Sequence, residues 1–95
     1  FFITLLVPFA ERRIIKMKLE LYKFDTCPYC RRVLNYISES GRTDIELHDT
    51  RKSAADREYL IENGGKEQVP CLFIDGKPLY ESLDIIEWLK QHPQQ

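Results

Sequence analysis

The chain has 95 residues, 43% of them hydrophobic, which allows one compact domain whose core needs no staples. Basic and acidic side chains nearly cancel, leaving a net charge of −1 with no long run of lysine and arginine, so composition argues against nucleic acid as an electrostatic partner. Three cysteines, two in one short motif and one apart, do not make the disulfide framework of a small secreted protein, and a reducing, cytoplasmic compartment is expected.

The first ten residues are apolar but are broken by Pro8, and Glu11-Arg12-Arg13 follow before Met17. Such a run is too short to span a bilayer, which takes ~20 residues, so no membrane association is expected. We read residues 1–16 as lying outside the working domain, as an upstream extension or a truncated end, and residues 17–95 as that domain.

Residues 19–24 (Leu-Glu-Leu-Tyr-Lys-Phe) alternate apolar and polar, the pattern of a half-buried strand. After the turn Asp25-Thr26 comes Cys27-Pro28-Tyr29-Cys30. Pro28 suits the first position of a helix, because its φ is already helical and its missing N–H would have had no intrahelical partner. Cys27 is then the cap. Its sulfur faces the unpaired amides of Tyr29 and Cys30 and the positive end of the helix dipole, both of which favour a thiolate.

An ordinary thiol, with a pKa of ~8.5, is only slightly ionised at neutral pH, and each unit of depression corresponds to about 1.4 kcal/mol of stabilised anion. Cys27 is therefore the candidate nucleophile. Cys30, one turn on, is placed to resolve a mixed disulfide and should be more buried and less acidic. A zinc site would need two further ligands, and Cys71, His48 and His92 form no second pair at close spacing, so no metal is expected. A purely structural disulfide across two residues would be strained and would close too small a loop to stabilise much.

Val33, Leu34 and Ile37 recur at helical spacing and Gly41 supplies a stop, giving a helix over Pro28–Ser40. Residues 43–48 read as a second strand with Ile45 and Leu47 on one face, and strand-helix-strand implies parallel pairing. Residues 54–62 carry Tyr59, Leu60 and Ile61 in a second helix ended by Asn63-Gly64-Gly65. Residues 69–74 form an apolar strand interrupted by Pro70, and Asp75-Gly76 turns it into an antiparallel hairpin with Lys77–Tyr80. Ser82–Gln91 is a patterned helix with Leu83, Ile86, Trp88 and Leu89, closed by Pro93. Trp88, Phe73 and Leu72 read as core and Cys71 as a small buried strand residue, while His48 and His92 read as solvent-facing. The order gives an α/β fold, a four-stranded mixed sheet with helices on both faces.

Three motifs in this order, Cys27-Pro28-Tyr29-Cys30, Gln68-Val69-Pro70 and Glu81-Ser82-Leu83-Asp84, make the chain resemble the glutaredoxins from residue 18 to residue 92. The Trp-Cys-Gly-Pro-Cys of a thioredoxin is absent. The resemblance implies a thioredoxin-like βαβαββα fold with three helices and a cis Val69–Pro70 bond near the redox pair, where an edge bulge is the alternative for a strand proline. It also implies glutathione as reductant, with the Val69 backbone pairing with the peptide like an added strand. Ser82 reads as the N-cap of its helix. In the family, residues at this place and the first helical amides hold the γ-glutamyl carboxylate, with Asp84 on the ammonium.

Glu81-Ser82 replaces the Gly-Gly turn of many glutaredoxins and is closer to glutathione transferase N-terminal domains. Lys23, one position earlier than the family's usual lysine, faces away from Phe24, which leaves Lys66 and Gln68 as substitutes for the glycyl carboxylate. Tyr29 is expected to be exposed beside the substrate, and Arg31 and Arg32 to add positive potential or simply to be solvated.

The implied activity is glutathione-dependent thiol–disulfide exchange by a monomer acting on glutathionylated or disulfide-containing proteins, with Cys27 and Cys30 catalytic and Tyr29, Gln68, Val69, Pro70, Ser82 and Asp84 binding glutathione. Two other readings stand beside it. One is a glutathione-ligated iron–sulfur dimer held through Cys27, and the other is the N-terminal domain of a glutathione transferase-like protein.

Overall fold

The computed structural model describes residues 17–94, so the extension assigned to residues 1–16 lies outside the described residues. The elements are β1 (Leu19–Lys23), α1 (Pro28–Ser40), β2 (Ile45–Asp49), α2 (Ala54–Gly64), β3 (Cys71–Ile74), β4 (Lys77–Tyr80) and α3 (Ser82–Gln91). The strands lie in the order β2-β1-β3-β4. β1 runs parallel to β2 and antiparallel to β3, and β3 is antiparallel to β4. A parallel pair cannot be joined by a tight turn, and α1 supplies the crossover. The architecture is the thioredoxin-like one, a four-stranded mixed sheet with three helices.

Alternation along β1 assigns the helices to faces. Leu19 and Leu21 join Val33 of α1, Leu72, and Ile85 and Leu89 of α3 in an aliphatic core. On the other face Tyr22 packs with Leu60 of α2, Cys71 and Phe73. Leu72 and Phe73 are fully buried, whereas Trp88 is only half-buried and stacks on His92 with ring centroids 4.0 Å apart.

β1 departs from the expected half-buried strand: it is buried throughout, Glu20 and Lys23 being 8% and 9% exposed. As an interior strand it is flanked on both edges and covered on both faces, so its polar positions have no route to water. Lys23 keeps its charge there by pairing with Asp25 at 2.8 Å and Asp49 at 3.6 Å, as a buried ammonium must. β2 is an edge strand, and Leu47, expected to share a packed face with Ile45, is 49% exposed. Leu83 of α3 is likewise 64% exposed, and Ile85 takes the core position instead.

Element ends shift by a residue or two. β3 begins at Cys71, after Pro70, because proline cannot donate to the ladder. α2 continues through Asn63 and Gly64, and its left-handed cap falls at Gly65, φ 84°, whose amide donates to the Ile61 carbonyl. Gly64 is needed for close approach, since a Cβ there would collide with the Tyr80 hydroxyl, which donates to the Gly64 carbonyl at 2.9 Å. Asp75 and Gly76, with φ of 51° and 86°, form the hairpin turn.

The end of α3 is held by Arg42, a residue for which the sequence carried no signal. Its Nη1 donates to the carbonyls of Leu89 and His92 at 2.9 and 2.8 Å, satisfying helix-end acceptors. Arg42 also donates through two nitrogens to Asp44 and holds that carboxyl below its usual range. Neither histidine is solvent-facing. His92 bonds the Trp88 carbonyl at 2.8 Å through Nδ1, and His48 is enclosed by carboxylates and stacked on Tyr22. Among the described residues, no helix is long and apolar enough to cross a membrane.

Candidate active site

The turn out of β1 delivers Cys27 to the mouth of α1, with Pro28 as the first helical residue. Cys27 is extended, φ −81° and ψ 122°, and its Sγ accepts the Cys30 amide at 3.4 Å. Of the two amides expected at the sulfur, only this one bonds it. The Cys27 carbonyl accepts from the Arg31 amide at 2.9 Å, which closes the first helical turn.

Both cysteines are free thiols. Cys27 keeps 8% of its surface exposed and Cys30 keeps none, so a substrate sulfur can meet only the first. Burial pushes the Cys30 thiol well up, against a lowering backbone bond to Phe24, and the neighbouring Cys27 adds to the rise. Cys71, also fully buried, is pushed up to about 11 by desolvation.

The Val69–Pro70 bond is cis, not an edge bulge. β3 pairs Cys71 with Tyr22 in antiparallel register, which carried one and two steps further sets Pro70 and Val69 level with Lys23 and Phe24. Those residues lead into the Cys27 turn. The cis segment therefore stands beside the mouth of α1.

α3 opens differently from the expected Ser82 cap. The cap position is held by Glu81, at φ 75° and ψ 119°, with no side-chain hydrogen bond to the helix. This left-handed turn carries Ser82 into the first helical position, where it is buried and its Oγ accepts from Arg32 Nη1 at 3.5 Å. Asp84 is exposed in the first turn. The Glu81 carboxylate reaches back to Gln68 Nε2 at 3.3 Å, tying the α3 mouth to the segment before the cis bond.

Arg32 is the residue sequence reasoning left undecided. Its guanidinium lies 5.8 Å from the ring of Tyr29, which is 59% exposed, while donating to Ser82. The signal was the Tyr29/Arg32 spacing of three, which sets two side chains over one another on a helix. Arg31 is exposed. Lys23 is sequestered by its aspartates, and Lys66 sits over the Tyr80 ring at 4.5 Å. One end of the sheet thus gathers Cys27, Tyr29, Arg32, Gln68, Val69, Pro70, Glu81 and Ser82.

Comparison with known proteins agrees with this geometry. Residues 21–95 match the family described as glutathione S-transferase, N-terminal domain. Glutaredoxin 3 of Escherichia coli strain K12 is 39% identical over 59 residues, which cover 62% of this chain and 70% of that protein. The dithiolic glutaredoxin 2-C-Grx1 of Trypanosoma brucei brucei is similar in structure, with a TM-score of 0.60 and 27% identity over 78% of this chain and 77% of its own. Glutathione transferase E6 of Drosophila melanogaster gives a TM-score of 0.64 and 29% identity over 82% of this chain and 36% of its own.

Proposed function

Because this chain belongs to the glutaredoxin family, and to that of the glutathione S-transferase N-terminal domain, we propose that it is a glutathione-dependent thiol–disulfide oxidoreductase of the cytoplasm. Its substrates are mixed disulfides between proteins and glutathione, and protein disulfides. The observation that carries the reading is the Cys27 sulfur at a helix mouth, accepting a main-chain amide and standing in front of a fully buried second thiol.

The amide and the helix dipole favour the anionic sulfur, which is the nucleophile in disulfide exchange. Cys27 attacks the glutathione sulfur of a mixed disulfide; the new bond is Cys27–glutathione, and the protein leaves as a thiolate that takes up a proton. A second glutathione thiolate attacks that bond on the glutathione sulfur, releasing glutathione disulfide and restoring Cys27. One glutathione thiol is thereby oxidised to the disulfide level and the protein sulfur is reduced to a thiol, the other glutathione having arrived already oxidised in the mixed disulfide.

With a protein disulfide, Cys27 is first joined to the protein, and Cys30 then attacks Cys27 to expel the protein thiolate, leaving a Cys27–Cys30 disulfide that two glutathiones reduce by successive exchange. Once Cys27 is in a disulfide, the charge that helped keep Cys30 protonated is gone, so the resolving thiol ionises more easily at the step that needs it.

Glutathione fits the gathered groups by its chemistry. The cis segment offers main chain to a peptide, Tyr29 offers an aromatic wall, and the α3 mouth offers unbonded amides with Ser82 and Arg32 to a carboxylate and Asp84 to an ammonium. The test is a glutathione-coupled assay on a glutathionylated peptide. Turnover that depends on glutathione and disappears in Cys27→Ser supports the reading, and turnover with dithiols but not glutathione contradicts its glutathione half.

A further inference from the structure

On the α2 face of the sheet, away from the cysteine motif, three carboxylates surround one imidazole. Parallel register sets Glu20 beside Glu46 and Tyr22 beside His48. His48 Nε2 lies 2.8 Å from Glu46 Oε1 and 3.5 Å from Glu20 Oε2, and Nδ1 lies 3.2 Å from Asp56 Oδ1 on α2. The Tyr22 ring stacks on the imidazole at 4.5 Å and 8°, fixing its plane.

Glu20 is the telling member. It is 8% exposed and faces the cluster; its nearest cations are His48 Nε2 at 3.5 Å and Lys18 Nζ at 3.7 Å, the latter on a side chain that is 69% exposed. Two carboxylates within 4.8 Å of one another, one of them buried, favour a shared cation. His48 Nδ1 faces Asp56 and Nε2 faces both glutamates, which is the arrangement of a metal-binding histidine oriented by a carboxylate. The three donor atoms lie within 4.8 Å of one another.

We propose that Glu20, Glu46 and His48 bind a divalent first-row transition cation, zinc being the representative, with Asp56 as the positioning residue. Metal–ligand bonds of about 2.0–2.2 Å in a tetrahedron set donor atoms about 3.3–3.6 Å apart, which this cluster reaches by a small movement of the Glu46 side chain. An imidazole with two carboxylates suits zinc, cobalt or nickel better than magnesium or calcium. Water completes the shell. The cation joins edge strand β2 to β1, and its role is to hold the edge of the sheet rather than to enter thiol chemistry.

The experiment adds zinc to the whole reduced chain and follows the ring nitrogens of His48 by long-range 1H–15N correlation, so that zinc taken up by thiols is not mistaken for zinc at this site. Expected are a metal-bound shift at Nε2 with Nδ1 still protonated, and a zinc-dependent rise in melting temperature. Zinc affinity at the site should fall about tenfold or more in Glu46→Gln and in Asp56→Asn. It should vanish in His48→Gln. Glu46 is exposed, so its variant carries the test even if His48→Gln fails to fold. A His48 ring protonated on both nitrogens and unmoved by zinc overturns the proposal, as does a melting-temperature rise that Glu46→Gln leaves unchanged.

Discussion

The mouths of α1 and α3 lie at the same end of the sheet, because each helix follows a strand and β1 and β4 run in the same direction. Arg32 on α1 and Ser82 on α3 join them. The first mouth is filled by the chain's own sulfur; the second has no side-chain cap, its Glu81 carboxylate being drawn away to Gln68. The same kind of main-chain donors therefore stands at two ends, one turned to the chain's own sulfur and the other left without a side-chain acceptor.

The sharpest way to break this comparison is to empty the first mouth. Cys27→Ser should lower glutathione-coupled reduction by at least about a thousandfold, since the nucleophile itself is lost. Cys30→Ser, which leaves the mouth filled, should retain most of the activity on a glutathionylated peptide while losing that on protein disulfides. Equal loss in both variants on the peptide substrate would erase the distinction between the two sulfurs.

Altering the second mouth should cost binding rather than chemistry. Ser82→Ala is expected to raise KM for glutathione about tenfold with kcat little changed, the worth of one charge-assisted hydrogen bond of about 1.5 kcal/mol. A fall in kcat with KM constant would move Ser82 out of the ligand site.

A smaller effect concerns the opposite face of the sheet, where Cys71 packs with Leu60 of α2. The Cys71 thiol is raised from its ordinary 9.0 to about 11, so between those values the unfolded chain has released a proton that the folded chain still holds. Its stabilising contribution is complete below pH 9 and is lost as pH rises toward 11. Thermal melts over that window should fall more steeply for the wild type than for Cys71→Ala, and parallel slopes would remove Cys71 as the cause.

The mildest expected change is at Glu81. Its φ of 75° suits glycine, so Glu81→Gly should recover about 1 kcal/mol, seen as a melting temperature about 4 °C higher, less what the Gln68 contact contributed. A lower melting temperature would show that the contact outweighs the backbone term.

What was legible in the sequence was what neighbours along the chain decide. Pro28 after Cys27 defined α1 from its first residue, Asp75-Gly76 defined the hairpin, and Gly41 closed α1 at a φ of 73°. The depth of Cys71 followed from an apolar strand, and the cis bond from family resemblance.

What failed depended on partners far apart in sequence. Ser82 reads as an N-cap by local rules, but the left-handed turn at Glu81 moves it into the helix to meet Arg32, fifty residues away. Glu20 and Lys23 read as solvated strand positions because the elements that cover the two faces and edges of β1 come later in the chain. His48 read as exposed for the same reason, its carboxylates arriving from β1 and α2 as well as from its own strand. Arg42 has no sequence signature at all, since its acceptors are carbonyls at the far end of α3.

The central claim is that the helix mouth makes Cys27 the one reactive sulfur of the folded chain. Brief treatment of the reduced protein with iodoacetamide at pH 7, followed by mass mapping of each cysteine, tests it most directly. The account predicts that Cys27 is labelled faster than in the denatured chain while Cys30 and Cys71 remain unlabelled. Labelling of Cys27 no faster than in the denatured chain, or labelling shared among the three, would contradict it.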